Sequence, residues 1–153
     1  MQRPNKEREV MQQAMVVVPG PPQGKARART GYNPRKGRIT SYTPEKTVLY
    51  ENLIKTCYME QSKVFFESDV ALDIEICAYY EPPKSTSKKR QRSMLDWEEF
   101  PTKKPDADNI AKVVLDALNG VAYSDDKQVV NLAVTKRYDR QAKVEIEIRR
   151  AEI

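Results

Sequence analysis

The sequence predicts a single α+β domain, a mixed β-sheet carrying two main helices in the order β-α-β-α-β-β. Strand-like apolar patterns alternate along the chain with two stretches of helical spacing, which sets that order. A length of 153 residues suits one domain built around one core. Interleaved elements without an internal repeat place the helices on one face of the sheet.

Met1–Gln13 is polar, charged and glycine-free, an N-terminal extension that reads as a frayed tail or an appended helix; the domain proper is expected at 14–150. Met15–Val18 is a β-branched run ended by Pro19-Gly20-Pro21-Pro22, hence a strand entering a stiff turn. A loop follows. Thr43-Pro44-Glu45 then reads as a helix start, with Thr43 as N-cap and Pro44 in the first helical position. This helix is expected to reach about Gln61 and to bury Leu49, Leu53, Ile54 and Cys57. Val70, Leu72, Ile74 and Ile76 alternate with Ala71, Asp73, Glu75 and Cys77, a strand with one buried face that Pro82-Pro83 stops.

Residues 84–104 form a polar, basic insertion with a short helix expected around Ser87–Leu95 and with Trp97 anchoring the loop on the core. In the second main helix, Ile110, Val113, Val114, Ala117 and Leu118 make a full apolar stripe, and Asn119-Gly120 supplies the stop. Asp108, Lys112 and Asp116 share its polar face. Val129–Tyr138 and Lys143–Ile148 are the last two strands, expected to form an antiparallel hairpin turning near Arg140-Gln141.

Charge narrows the function. The net charge is +5, and it is unevenly spread. Gly24–Arg38 carries Lys25, Arg27, Arg29, Arg35, Lys36 and Arg38 without an acid. Lys84–Arg92 adds Lys84, Lys88, Lys89, Arg90 and Arg92, again without one. Such blocks in loops suit a polyanion, because each cation can displace a counterion condensed on phosphate. Solubility is the plainer explanation of any one block. Tyr32 and Tyr42 among these residues can stack on bases or pack locally.

Histidine is absent. That removes Ser-His-Asp and Cys-His nucleophilic systems, His-metal motifs and His-base nucleases together. Hydrolysis must then rest on carboxylates, lysine or a bound metal. The mean hydropathy of −0.74 and the lack of a membrane-length apolar run or export signal predict a soluble, cytoplasmic protein. Cys57 and Cys77 read as reduced, buried thiols.

The chemistry concentrates in Lys104-Pro105-Asp106-Ala107-Asp108-Asn109-Ile110-Ala111-Lys112. Both aspartates fall where loop becomes helix, where the amides favour ionised carboxylates. Two ionised carboxylates close together repel, and a divalent cation relieves the conflict. Magnesium suits oxygen ligands and binds through one or two carboxylates plus a substrate phosphate. Lys112, one turn beyond Asp108, can pair with a carboxylate or meet the scissile phosphate. Asp125-Asp126 is a second acidic pair at the start of a strand. Neighbours on an extended chain point to opposite faces, so one of the two should enter the site, and spacing leaves open which. Each piece also has an ordinary structural use. Asp106 or Asp108 alone would serve as an N-cap. Asp108 with Lys112 could be a surface pair worth about 0.3–0.5 kcal/mol. Asp125-Asp126 could be a solvated turn.

The linked pattern Asp106-x-Asp108-Asn109-x-x-Lys112, Asp116-Ala117-Leu118 and Asp125-Asp126-x-Gln128-Val129 resembles the RusA family of Holliday junction resolvases of bacteria and their phages. Val18-Pro19-Gly20-x-Pro22 followed by Lys25-x-Arg27-x-Arg29 is similar to that family's N-terminal strand and basic loop. The resemblance implies a homodimer with one magnesium-dependent site per subunit, manganese being the substitute metal, that makes paired nicks across branched double-stranded DNA at a four-way junction. It assigns the catalytic and metal-binding aspartates to Asp106, Asp108 and Asp126, the functional lysine to Lys112, and an adjacent acidic position to Asp125. The N-terminal extension and the 84–104 insertion depart from the family pattern. Lys25, Arg27, Arg29, Arg35, Lys36, Arg38, Lys88, Lys89 and Arg90 are the expected DNA contacts. Two other readings stand beside this one, a non-catalytic branched-DNA-binding protein of the same fold and a metal-dependent nucleotide phosphohydrolase. Eleven basic residues in two loops exceed what a mononucleotide requires.

Overall fold

The computed structural model describes residues 12–152, so the tail or helix expected in the N-terminal extension lies outside the described residues save at its very end. The elements are β1 (Gln13–Pro19), β2 (Arg29–Asn33), β3 (Arg38–Tyr42), α1 (Glu45–Gln61), β4 (Leu72–Tyr80), α2 (Lys88–Leu95), α3 (Ala107–Leu118), β5 (Val129–Tyr138) and β6 (Lys143–Arg150). Four strands form a mixed sheet in the order β1-β6-β4-β5, with β4 and β5 parallel and the other pairs antiparallel. This is the α+β architecture that the interleaved patterns predict. No described helix is long and apolar enough to cross a membrane.

Strand alternation decides which sheet face is covered. Val16 and Val18 from β1, Ile74 and Ile76 from β4, and Ile146 and Ile148 from β6 are all buried. The apolar stripe of α3 joins the same core, with Ile110, Val113, Val114, Ala117 and Leu118 almost without exposure. Ser87 accepts a hydrogen bond from the Arg90 amide at 3.2 Å and caps α2 where the insertion was expected to turn helical.

The last two strands are not a hairpin. β6 lies between β1 and β4, while β5 pairs with the far side of β4. Burial explains the order. Val144, Ile146 and Ile148 are fully covered and need a central position, whereas Val130 and Leu132 of β5 stay exposed at an edge. The link between them passes the end of β4. There the Asp139 amide donates to the Tyr80 carbonyl at 2.9 Å and the Gly20 amide to the Ala142 carbonyl at 3.1 Å.

Helix α1 also sits differently from expectation. Its buried stripe is Thr47, Tyr50, Ile54, Cys57 and Tyr58, and it leaves Leu49 and Leu53 61% and 37% exposed. Two tyrosines fill more of the interior than two leucines can, and they set the helix rotation. Tyr58 adds a 2.6 Å hydrogen bond to the Val64 carbonyl. The N-cap is Pro44 rather than Thr43, without a side-chain cap bond. Cys57 is buried as expected, but Cys77 is half-exposed on the uncovered sheet face.

Two further features bear on function. The basic loop contains a separate two-stranded hairpin, β2–β3, whose turn is held by the Asn33 side chain and by Gly37 at φ +60°. At the other end of the fold, the Gln61 side-chain amide bonds both the N–H and the C=O of Val17 at 2.8 Å, occupying the free edge of β1.

Candidate active site

Helix α3 begins beneath the basic loop. The Tyr80 hydroxyl donates to the Pro105 carbonyl at 3.3 Å, which fixes the approach to the helix. Asp106 is the N-cap in extended conformation, yet its carboxylate makes no cap bond. Asp108 follows in the first turn and is exposed. Asp106 is close enough to Tyr80 to join burial in pushing that phenol up to about 12.

The loop between β1 and β2 crosses directly over this helix. The Lys25 amide donates to the Asn109 carbonyl at 2.9 Å. A Cβ on Gly24 would stand 2.9 Å from the Asn109 Cβ and 3.0 Å from the Pro105 Cβ, so only glycine fits. Lys25 turns its ammonium to Glu51 of α1 and to Asp116, 3.3 Å away. Lys112 reaches Asp116 as well, at 3.5 Å, with most of its own side chain in solvent. Asp116 thus ties the loop, α3 and Lys112 together.

The second acidic pair does not lie on an extended strand. Asp126–Gln128 is a 3₁₀ turn with Asp125 as its N-cap. The Asp125 carboxylate accepts from the Lys127 amide at 2.9 Å, and the Gln128 side chain accepts from the Ser124 and Asp125 amides at 3.0 and 3.1 Å. This is a complete capping box. Gln128 is buried, and its amide nitrogen donates to the Glu67 and Val70 carbonyls at 2.7 and 3.0 Å.

The two carboxylates diverge electrostatically. The Lys127 amide holds Asp125 below the usual carboxylate range. Partial burial pushes Asp126 up, and the neighbouring Asp125 and Asp116 add to the rise against an opposing pull from Lys112. Tyr123, buried beneath them, is raised by burial and by the same three aspartates, and its hydroxyl donates to the Leu115 carbonyl at 2.8 Å.

The structure therefore gathers Asp126, Asp116 and Asp125 around Tyr123, with Lys112 near Asp126 and Asp116, and sets Asp106 and Asp108 at the start of α3. Among the described residues, no three carboxylates or thiols converge closely enough to enclose an ion. Magnesium does not require such an enclosure, because one or two carboxylates with waters and a substrate phosphate suffice. The donors are hard oxygens, and Asp125 and Asp116 set beside the partly buried Asp126 a negative charge that a cation would offset. The residues present fit that ion.

The remaining expected residues fall into two groups. Arg27, Arg29, Arg35, Lys36 and Arg38 are exposed on or beside the β2–β3 hairpin, with Tyr32 and Tyr42 68% and 51% exposed among them. Lys88, Lys89 and Arg90 lie on α2, where Arg90 pairs with Glu99 at 2.7 Å. Trp97 anchors its loop, donating to the Tyr138 carbonyl at 3.1 Å beneath the Arg137 guanidinium. Sequence reasoning missed Glu51, Gly24 and the full use of Gln128, since each acts through a segment distant in the chain.

Comparison with known proteins places the chain in a family. The family model for endodeoxyribonuclease RusA matches residues 19–149. An uncharacterized protein of Bacillus subtilis (strain 168), YqaN, is 33% identical over 136 residues, covering 87% of this chain and 93% of that protein. A crossover junction endodeoxyribonuclease of Lactococcus phage r1t is 31% identical over 114 residues, covering 74% of this chain and 79% of the phage protein. With the match spanning the core, the basic loop and both acidic pairs, the chain belongs to the RusA endodeoxyribonuclease family.

Proposed function

We propose that this nuclease is a magnesium-dependent, structure-specific endonuclease that resolves Holliday junctions by paired nicks, in DNA recombination and repair in the cytoplasm of a bacterium or phage-infected cell. The observation that carries the reading is the division of labour at Asp125-Asp126. Asp125 is committed to a cap, and Asp126 is left partly buried beside Asp116 and Lys112.

Asp106, Asp108 and Asp126 are the carboxylates that would hold the metal, one or two of them directly, with waters and the substrate phosphate completing its shell and Asp125 shaping the turn beside them. A bound magnesium ion supplies Lewis-acid polarisation of the phosphodiester. Lys112, largely exposed beside its ion-pair partner Asp116, offers its ammonium to the phosphate charge that develops in the transition state. Asp116 and Glu51 hold Lys25 and so keep the basic loop seated on α3. The hairpin and α2 give salt-dependent, sequence-independent affinity for the DNA backbone. A twofold homodimer would present two such sites to a substrate with paired strands to cut.

The test is a panel of labelled four-way, three-way, flapped and linear DNAs and of nucleoside triphosphates, each with magnesium, manganese or EDTA. The reading expects symmetric nicks in the four-way junction with either metal and none in EDTA. Metal-independent binding without nicking of any substrate would establish a non-catalytic binding protein instead. Hydrolysis of nucleotides with no nicking of DNA would establish a phosphohydrolase.

A further inference from the structure

A cleft of about 570 Å³ opens between the basic loop, the first turn of α1 and the segment leading into α3. Its cationic lining is Lys25, Arg29, Lys46 and Lys104, and its one acid is Asp106. The Lys25 ammonium is already bound to Glu51 and Asp116. Arg29, Lys46 and Lys104 are exposed and make no ion pair with any described residue. Three uncommitted cations from three different segments thus surround one carboxylate of the candidate active site.

We infer that this cleft is a backbone-phosphate subsite, in which Arg29, Lys46 and Lys104 hold the DNA strand that runs to Asp106. The inference rests on the nuclease reading and deepens it by giving the strand its path.

The walls suit that ligand. Pro22, Pro44 and Pro105 line the cleft, and their fixed φ angles limit how far the walls can move. The Ala26 amide donates to the Thr47 hydroxyl at 3.3 Å and the Lys25 amide to the Asn109 carbonyl, which ties the loop to both helices. The cations therefore hang from a braced frame. No aromatic residue lines the cleft, so it has no platform on which a base could stack. It suits phosphate and sugar, the part of DNA that positions a protein without carrying sequence. Net charge agrees as well. Three free cations outweigh Asp106, so a phosphodiester is attracted even though it must approach a carboxylate.

Lys46 and Lys104 stand outside both basic blocks of the sequence. One opens a helix, and the other precedes the Pro105-Asp106 step.

The experiment compares two double variants that remove equal charge: K46Q/K104Q in the cleft and K63Q/R140Q at exposed positions elsewhere. Binding of a labelled four-way junction and a linear duplex is measured in EDTA over a range of salt, with cleavage in magnesium followed separately. The cleft pair is expected to weaken binding at least tenfold at physiological salt and to reduce the salt slope by about two, at roughly 0.9 for each phosphate no longer neutralised. The control pair should change affinity less than threefold. Equal behaviour of the two pairs, with the wild type cleaving normally, overturns the cleft while leaving the nuclease intact. A wild type that binds but never cleaves overturns the nuclease reading instead, and one that binds no DNA overturns both.

Discussion

The two acidic pairs of this protein look alike in sequence and are used in different ways. At Asp125-Asp126, one carboxylate closes a 3₁₀ turn and the other is left half-buried among like charges. At Asp106 and Asp108, the residue in the N-cap position makes no cap bond at all, so neither side chain is engaged by the backbone it precedes. An aspartate at a helix start is ordinarily explained by capping. Here the hydrogen-bond accounting separates the aspartate that caps from those that do not, and the uncapped ones are the candidates for chemistry.

The contrast can be broken most directly at the uncapped residues. Asp126→Asn and Asp106→Asn should each reduce cleavage of a four-way junction by at least about 100-fold in magnesium. Junction binding in EDTA should be retained or tightened as repulsion of phosphate is relieved. Wild-type cleavage in both variants would remove these carboxylates from the mechanism.

A smaller effect is expected beneath the capping box. Gln128→Ala removes a buried side chain that bonds four backbone groups, and should cost about 3 kcal/mol of stability in urea unfolding. Little or no change would mean that the box does not hold the turn.

Asp125→Ala should cost about 1 kcal/mol, the usual worth of an N-cap, with junction cleavage within about threefold of wild type. Asp125→Asn should restore the stability, since an amide oxygen can accept the same Lys127 bond. A large loss of cleavage in Asp125→Asn would make this residue a ligand and erase the contrast.

The smallest expected change is in the stability of Asp106→Ala, within about 0.5 kcal/mol of wild type because no cap bond is lost. A full cap-sized loss would show that Asp106 caps α3 after all.

How much of this was legible in the sequence depended on how local the signal was. The stripe of α3 and the alternation of β4 each depend on one face being buried, and both could be read from spacing. The β2–β3 hairpin could not, because Arg29–Tyr42 has no covered face and its residues carry no period-two apolar pattern. The partner of β6 was misread because strand neighbours are chosen by burial across the whole sheet, and a short connection favours a hairpin only when nothing else competes for the central place. Within the site, Asp106, Asp108, Lys112 and Asp125-Asp126 were visible as residue types at suggestive spacing. The capping of Asp125 is a local Asp-x-x-Gln signature hidden by reading the pair as extended strand, whereas the bonds of Gln128 to Glu67 and Val70, some sixty residues away, leave no local trace.

The Gln61 side chain has a consequence for how such sheets can be joined. It satisfies the amide and carbonyl of Val17 as an additional strand would, so an incoming chain meets an interruption in the middle of the β1 margin. No described element pairs with the outer margin of β5. The two margins of the sheet are therefore unlike, one interrupted by a side chain and the other without such a block. One glutamine thus breaks the row of open amides and carbonyls along which a neighbouring strand would have to register.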